Sequence, residues 1–384
     1  MTGLARAATA VGIVALPFVL AIAFRGLAAL CPAEERWASW QRFRLHTDPV
    51  LLGAVCGWWA MWVVNRSTGD LVRFEDWQTG NDASYVFLAA AFWLPPTIGL
   101  AAFLIAVYST DSSLLNLRWG TKDAFRRAWW KWVSFGVPLL LVALGFDELL
   151  AGNPWGVAFI AGAGVLNRVG TIFLRISSGF YPHNAKSGEL RNRVLSIAHR
   201  MGVTVSRIYI VPAGKGHLTN AYAGSRAVFL TDNLGKYLSK SQLDVTIAHE
   251  LAHLKLQHSR KGFVGIMAYF STAMAIAYSF RQILVLCQPW IDVALLGVPI
   301  LGIYYLSRRN EFAADRAALE FTGDAEAAIR ALANLYAVSA APLRFNGLTQ
   351  LFQTHPALSD RAKAIAEAGD VSTARVAEIT VSTR

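Results

Sequence analysis

The sequence predicts a polytopic α-helical membrane protein with about seven transmembrane helices and a smaller α+β domain that lies outside the bilayer. Hydrophobic residues make up 54% of the 384-residue chain, a larger fraction than soluble domains usually contain. Several apolar segments approach the roughly 20 residues that a membrane-spanning helix needs. Two polar regions in the C-terminal half instead mix helix and strand patterns, which accounts for the second part of the prediction.

Seven apolar segments are candidates for membrane-spanning helices. They cover residues 8–30, 49–64, 84–108, 132–150, 155–174, 262–280 and 286–306. The second is short, the third contains Pro95 and Pro96, and the fifth carries Asn167 and Arg168, so six or eight spans also fit the pattern. The first segment has a second interpretation as a cleaved signal peptide, but Arg25 interrupts its apolar run and favours a helix.

The distribution of lysine and arginine predicts the orientation of these segments. Basic loops at 36–44 and 118–131 alternate with acid-richer loops at 70–82 and 147–148, and positively charged loops tend to stay in the cytoplasm. Seven spans with an external N-terminus satisfy this alternation. The formal net charge of +11 then has a topological explanation, and we expect no nucleic-acid partner.

Pairs of basic residues bracket the last two apolar segments, Arg260 with Lys261 and Arg308 with Arg309. These segments therefore form a hairpin whose flanking polar regions share one side, which we expect to be cytoplasmic. The predicted organisation has four parts: about five transmembrane helices in 1–175, a first polar part in 176–261, the hairpin in 262–306, and a second polar part in 307–384. The high alanine content suggests a bacterial source, and hence the plasma (inner) membrane.

The polar parts contain short elements of both kinds. In the first part we predict a helix over 188–202, strands in RIYIVPA (207–213) and AVFLTD (227–232), and one helix over 238–258 after a turn at 233–235. In the second part we predict helices in NEFAADRAALEF (310–321) and AEAAIRALANLYAVS (325–339), a loop around 354–356, and a helix from about 359. The three cysteines have no ligand-like spacing, so we predict neither a disulfide framework nor a cysteine-based metal site.

The stretch TIAHELAHLKLQH (246–258) contains the strongest chemical signal in the chain. His249 and His253 are four residues apart, so on a helix both imidazoles lie on one face at a separation that one metal ion can bridge. Glu250 lies beside that face. This H-E-x-x-H pattern is typical of two zinc-binding histidines and a glutamate that accepts a proton from the attacking water. On a continuous helix His258 would point to the opposite side, so we expect a solvated or interfacial histidine there.

A catalytic zinc usually has three protein ligands, and the third must come from elsewhere because the position that could supply a third histidine is Ser259. NEFAAD (310–315) is the strongest candidate, since Glu311 and Asp315 are four residues apart and face the same way on a helix. We predict that Glu311 binds the metal and that Asp315 accepts a hydrogen bond from a ligating histidine. Without the H-E-x-x-H helix, a solvated acidic helix start would be the simpler interpretation.

HELAH followed by NEFAAD resembles the glutamate-ligand branch of zinc metalloproteases. The apolar hairpin between them, together with TNAYAGS (219–225) and THPALSDRAKAI (354–365), is similar to the integral-membrane members of peptidase family M48, the HtpX and Ste24 CAAX protease type. The resemblance covers about 176–366. It implies a zincin-like α+β metalloprotease domain, one Zn²⁺ per chain and polypeptide substrates.

The resemblance also assigns roles outside the metal-binding motifs. It implies that Asn220 and Ala221 lie on a strand edge that binds substrate backbone, where the alternative is a plain structural hairpin. Side-chain chemistry adds two candidates: His355 and Arg361 each carry hydrogen-bond donors, and either would stabilise the oxyanion or hold Glu311 in place, where the alternatives are a loop histidine and a surface arginine.

These observations together predict a membrane-embedded zinc endopeptidase whose substrates are membrane-associated or membrane-proximal, in quality control of membrane proteins or in CAAX-type peptide processing. The alternative is a transporter or sensor with a structural or regulatory zinc. A structural zinc normally takes a fourth protein ligand, and the sequence shows no candidate for one.

Overall fold

The structure is a computed structural model that describes residues 121–177, 182–212, 219–224, 226–284, 288–339 and 353–382, together with isolated residues elsewhere. The chain divides into two compact units. The first consists of Met1–Ser178 and Ile276–Val293, and the second of Gly179–Ala275 and Ala294–Arg384. The first three predicted spans, 8–30, 49–64 and 84–108, lie outside the continuously described residues.

Helices form the described part of the first unit. Helix α1 (Thr121–Lys131) continues through a π-helical turn (Trp132–Gly136) into α2 (Val137–Leu150), and α3 (Gly156–Ser177) packs against α2. Glycines allow this packing, because a Cβ atom on Gly145 would lie 2.7 Å from the carbonyl oxygen of Gly156. Asn167, a polar residue in a predicted span, donates a hydrogen bond of 2.6 Å to the carbonyl oxygen of Ser134.

Two helical stretches within the described residues are long and apolar enough to cross a membrane, Ala128–Leu150 and Lys240–Ser279. The predicted segments at 132–150 and 155–174 fall on helices, as do those at 262–280 and most of 286–306. The total of seven spans stays a prediction.

The second unit contains a four-stranded sheet and the helices that cover it. From the N-terminus the elements are β1 (His183–Asn184), α4 (Glu189–Met201), β2 (Arg207–Val211), β3 (Ala221–Gly224), β4 (Ala227–Thr231), α5 (Leu234–Tyr237), α6 (Lys240–Lys255), α7 (His258–Ser279), α8 (Arg281–Leu284), α9 (Gln288–Thr322), α10 (Ala325–Val338), α11 (Leu358–Ala368) and α12 (Thr373–Ser382). Of these, α8, the last residues of α7 and the first residues of α9 belong to the first unit.

The strand order is β1-β2-β4-β3, which leaves β3 at an edge of the sheet. Strands β2 and β4 are parallel, while β1 pairs antiparallel with β2 and β3 antiparallel with β4. Successive side chains alternate between the two faces of a strand, so Ile208, Val228 and Leu230 point into the core. This core also takes buried side chains from α4, α6 and α9.

Apolar burial fixes α6, the H-E-x-x-H helix. Ile247 and Leu251 have no exposed surface, and full burial of such a side chain contributes about 1.5–3 kcal/mol. Ala314, on α9 between Glu311 and Asp315, is equally buried in the same cluster. The hydrophobic core therefore holds both segments that carry the candidate metal ligands by the faces opposite their polar groups.

Both ends of α6 have local causes. Ser239 begins the helix with a capping box: its Oγ accepts from the Gln242 amide, and its own amide donates to Oε1 of Gln242 at 3.0 Å. At the other end Gln257 has φ of 55°, in the left-handed region that stops a helix. The prediction of one helix over 238–258 is therefore wrong at its C-terminal end, because α7 starts anew at His258.

Two further expectations need correction. The predicted turn at 233–235 is the start of the short helix α5. The predicted membrane segment 286–306 and the predicted helix 310–321 belong to a single helix, the 35-residue α9. No glycine or proline occurs after Gly302 until Gly323, so nothing in the backbone breaks α9 where the basic pair Arg308 and Arg309 marks the expected membrane boundary.

Candidate metal centre

Three potential metal ligands converge within the second unit. The Nε2 atoms of His249 and His253 on α6 are 3.1 Å apart. Each lies 3.6 Å from one carboxylate oxygen of Glu311 on α9, His249 from Oε2 and His253 from Oε1. The three residues form the His/Glu group able to hold a metal ion among the described residues.

These spacings fit a tetrahedral zinc ion. Zinc bound at about 2.0–2.1 Å keeps neighbouring ligand atoms roughly 3.3–3.5 Å apart, which is close to the observed 3.1 and 3.6 Å. The donor set of two imidazoles and one carboxylate is also one that catalytic zinc uses. The predicted ligands are therefore compatible with zinc in both chemistry and spacing.

The electrostatics of the centre favour a cation. Burial alone would lower the pKa of His249, but the carboxylates of Asp315 and Glu311 outweigh it and raise this pKa to about 10. Burial and the charge of His249 lower the pKa of His253 to about 4. In the absence of metal the pair of imidazoles thus carries one positive charge at neutral pH, from one proton more than two neutral rings hold, and a metal cation would replace that proton.

Asp315 lies behind the first histidine. Its Oδ1 is 2.8 Å from Nδ1 of His249, but the N–H direction of the ring departs from the line to this oxygen, so the pair is a close contact without good hydrogen-bond alignment. The predicted partner is therefore present at the predicted ring nitrogen, with imperfect geometry.

Arg361 on α11 holds both carboxylates of α9. Its guanidinium donates to the two oxygens of Asp315 at 2.8 and 2.6 Å, and Nη1 lies 3.1 Å from Oε2 of Glu311. All three side chains are buried. Of the two roles that the sequence left open for Arg361, these contacts favour the holding of Glu311.

His355 occupies the mouth of the centre. Its Nδ1 is 3.2 Å from Oε2 of Glu311, while 63% of its side chain stays exposed. The next residue, Pro356, is held by Tyr336, whose hydroxyl donates to the Pro356 carbonyl oxygen at 2.8 Å. Sequence reasoning missed Tyr336, because a tyrosine at helical spacing in an alanine-rich helix carries no signal of its own.

The side chain of Glu250 is partly exposed, and its carboxylate is available to react. Its carboxylate makes no hydrogen bond or ion pair with the residues that the structure describes. Burial raises the pKa of this carboxyl, and the neighbouring Glu311 raises it further, against the lowering effect of His249. A free carboxylate of raised pKa beside the ligands is suited to proton transfer.

The expectation for His258 is wrong. Its Nδ1 lies 2.8 Å from Nδ1 of His253, although a continuous helix would have carried it to the opposite side of α6. The left-handed residue Gln257 changes the helical phase and returns the ring to the centre. Sequence periodicity could not reveal this contact, since glutamine is not a usual sign of a left-handed helix stop.

The two residues assigned to substrate binding flank the start of the edge strand. The Asn220 carbonyl oxygen accepts from the Thr231 amide at 3.0 Å, and Asn220 Oδ1 accepts from the Ala221 amide at 2.9 Å. In an antiparallel pair successive residues alternate in direction, so the main-chain groups of Ala221 and Ala223 point away from β4 to the free edge.

A buried H-E-x-x-H helix, a glutamate from a later helix beside its histidines and a nearby edge strand are features of a metallopeptidase. Residues 184–368 match Peptidase family M48, and this match identifies a membrane metalloprotease.

Known proteins agree with this assignment. The chain is 27% identical over 282 residues to a protease HtpX homolog of Lactobacillus helveticus, covering 60% of this chain and 93% of that protein. It is 29% identical over 210 residues to a protease HtpX homolog of Burkholderia multivorans, covering 45% of this chain and 72% of that protein. The crystal structure of Ste24p from S. mikatae has a similar fold, with a TM-score of 0.56 and 15% identity over 95% of this chain and 99% of that one.

Proposed function

We propose that the protein is an integral-membrane zinc endopeptidase that hydrolyses peptide bonds of membrane-associated or membrane-proximal polypeptides. The observation that supports this most directly is the convergence of His249, His253 and Glu311 beside the uncommitted carboxylate of Glu250. Family M48 is in general zinc-dependent, and the spacing of the three ligands fits that metal. The comparisons do not favour a transporter or sensor.

The roles of the residues follow from their positions. His249, His253 and Glu311 would hold the zinc, which when bound would supply a Lewis acid for the scissile carbonyl and for the attacking water. Glu250 accepts a proton from the attacking water and then donates it to the leaving amine. Its raised pKa suits it to both halves of this transfer.

The remaining polar residues of the centre have different proposed roles according to whether they are buried or exposed. Arg361 is buried and already bonded to Asp315 and Glu311, so its proposed role is to keep the ligand carboxylate in place. His355 is exposed and retains a free ring nitrogen for the developing oxyanion. Asp315 orients the His249 ring from behind.

The substrate would extend the sheet at β3. Ala221 and Ala223 direct main-chain groups to the free edge, which is the requirement for pairing with an extended peptide. The side chain of Asn220 occupies the Ala221 amide, so a substrate would displace it or pair first with Ala223. This geometry supports an endopeptidase, because an edge strand holds a chain through its backbone and leaves both ends free.

The location of the catalytic unit narrows the substrate class. The helix with the two histidines, α6, is followed directly by the apolar helix α7. Glu311 lies on α9, whose first part is apolar. Polypeptides at the membrane surface, such as damaged membrane proteins, therefore reach it most readily. Prenylated C-terminal peptides are the narrower form of this proposal. We place the protein in the plasma membrane of a bacterium, with this unit on the cytoplasmic side.

The test compares wild type, Glu250→Gln and Glu311→Ala, purified in detergent. We expect wild type to bind about one zinc and to cleave casein or a membrane-derived peptide. Glu250→Gln should keep the zinc and lose at least roughly 100-fold in kcat, since it cannot take up the proton. Glu311→Ala should lose the zinc.

The control is Glu320→Gln, an exposed carboxylate on α9 that should leave zinc content and cleavage unchanged. Cleavage by Glu250→Gln at the wild-type rate would contradict the proposed mechanism. Wild type without zinc would contradict the proposed centre.

A further inference from the structure

His258 contacts the proposed metal ligand His253 at Nδ1, the ring nitrogen that does not face the other ligands. The proposed function gives His258 no role. Its Nδ1 is 2.8 Å from Nδ1 of His253, and the rings meet edge to face at 4.9 Å between centroids. This contact depends on the break at Gln257, where φ is 55°. A helix continued through this point would turn His258 about 140° away from His253, at 100° per residue.

The contact constrains the protons on both rings. A neutral imidazole carries one N–H donor and one acceptor nitrogen. His253 presents Nε2 to His249 and Glu311, at 3.1 and 3.6 Å, so metal binding requires the lone pair at Nε2 and the proton at Nδ1. His258 must then accept that proton with its own Nδ1 and carry its hydrogen on Nε2.

The two histidine ligands consequently differ in the residue behind them. His249 faces the carboxylate of Asp315, whereas His253 faces an imidazole. Residues behind a ligand fix its tautomer and ring orientation, and their loss typically weakens metal affinity 10–100-fold. A neutral acceptor does this for His253 without adding a further negative charge to Glu311, Asp315 and Glu250.

Building on the proposed function, we propose that His258 is a positioning residue, which accepts the Nδ1–H of His253 and so holds its Nε2 lone pair toward the zinc. The position of His258 adds a structural consequence, because it is the first residue of α7. The apolar helix that follows the metal-binding helix therefore supplies part of the support of the centre.

The test separates the acceptor atom from the volume of the ring. His258→Asn keeps an oxygen acceptor near the position of Nδ1 but loses the ring, whereas His258→Phe keeps a ring without an acceptor. We expect His258→Phe to bind zinc 10–100-fold more weakly in chelator competition, and His258→Asn to stay within a few-fold of wild type. The control is His199→Phe, an exposed histidine on α4, which should leave the affinity unchanged.

All proteins compared for zinc affinity, including the reference with His258 intact, carry Glu250→Gln, so that zinc affinity is measured without turnover. The melting temperature of the metal-free protein checks that each variant folds. A packing role would give the opposite order, with Phe better than Asn, and would overturn the proposal, as would equal affinity in all variants. Failure of the proposed function would look different, as wild type that cleaves nothing or binds no zinc.

Discussion

Arg361 lies between two buried carboxylates and satisfies both. Burial of unpaired charge is costly, but here Arg361 makes a bidentate contact with Asp315 and a further contact with Glu311. These contacts orient the Glu311 oxygens that face the two histidines. At the scale of single residues, the sequence predicted correctly those positions that follow from residue spacing on a helix. Helical periodicity alone brought His249 and His253 to one face, and Glu311 and Asp315 to another.

Other residue positions depended on contacts that spacing does not encode. His258 was misplaced because its direction is set by the single left-handed residue Gln257. Arg361 had two candidate roles from its chemistry, and only the three-dimensional arrangement brings it onto Asp315 and Glu311. Tyr336 was missed, since its partner is the main-chain carbonyl of Pro356.

The stability of the protein at acid pH should depend on the ion pair between Arg361 and Asp315. Burial would raise the pKa of Asp315, but Arg361 and His249 lower it from 3.8 to about 2. The unfolded chain therefore binds the proton first, and the stabilisation is complete above about pH 4 and is lost as pH falls toward 2. This shift corresponds to about 2 kcal/mol.

The measurement is the free energy of unfolding of the metal-free protein in detergent between pH 5 and 2. We expect Asp315→Asn to be less stable than wild type at pH 5 and to show a flatter decline with acidification. Asp370→Asn, a carboxylate outside the centre, is the control for loss of one charge. A decline as steep in Asp315→Asn as in wild type would show that this pair is not responsible.

At the scale of elements, the arrangement of the candidate centre depends on the residues at which its helices begin and end. The capping box at Ser239 and the left-handed stop at Gln257 set the limits of α6. The bounds predicted for β2, β4 and α10 agree with the structure to within two residues, because the apolar patterns of these elements are strong. Residues 286–306 and 310–321 were predicted as two separate elements but belong to the single helix α9, because basic residues mark an expected membrane boundary without interrupting the backbone.

The edge strand yields a prediction for catalysis. Ala223→Pro removes one outward-directed amide from β3 and leaves the bonds to β4 in place, since the 221 and 223 amides point away from that strand. Proline is tolerated at such edges. We expect kcat/KM for a peptide substrate to fall roughly 5- to 10-fold, the equivalent of one hydrogen bond of about 1–1.5 kcal/mol.

Zinc content and melting temperature should stay close to wild type in Ala223→Pro. Ala223→Ser, which keeps the amide, serves as the matched control and should cleave normally. Unchanged kcat/KM in the proline variant would place substrate binding elsewhere.

At the scale of the whole molecule, composition and charge pattern predicted a membrane protein, and the M48 assignment agrees with this. The orientation proposed from the lysine and arginine distribution puts the second unit in the cytoplasm. The number of spans depends on three N-terminal segments, at 8–30, 49–64 and 84–108, for which apolar length is the only argument.

Cysteine labelling tests this orientation. In a background with Cys31, Cys56 and Cys287 replaced by serine, we expect Lys363→Cys to resist a membrane-impermeant maleimide in intact cells and to react after permeabilisation. Lys363 is well exposed on α11. Asp76→Cys, in a loop predicted to be external, is the control that should react in intact cells. Labelling of the 363 position from outside would reverse the proposed orientation.

The uninterrupted helix α9 also sets a distance. Glu311 lies five residues after Leu306, the last residue of the predicted span, and a helix rises 1.5 Å per residue. The ligand therefore lies only about 7–8 Å along the helix axis from the end of the apolar segment, with no flexible joint between them. We therefore expect this helix to hold the centre at a fixed height above the bilayer, so that the height of a peptide bond, as well as its sequence, decides whether it is cleaved.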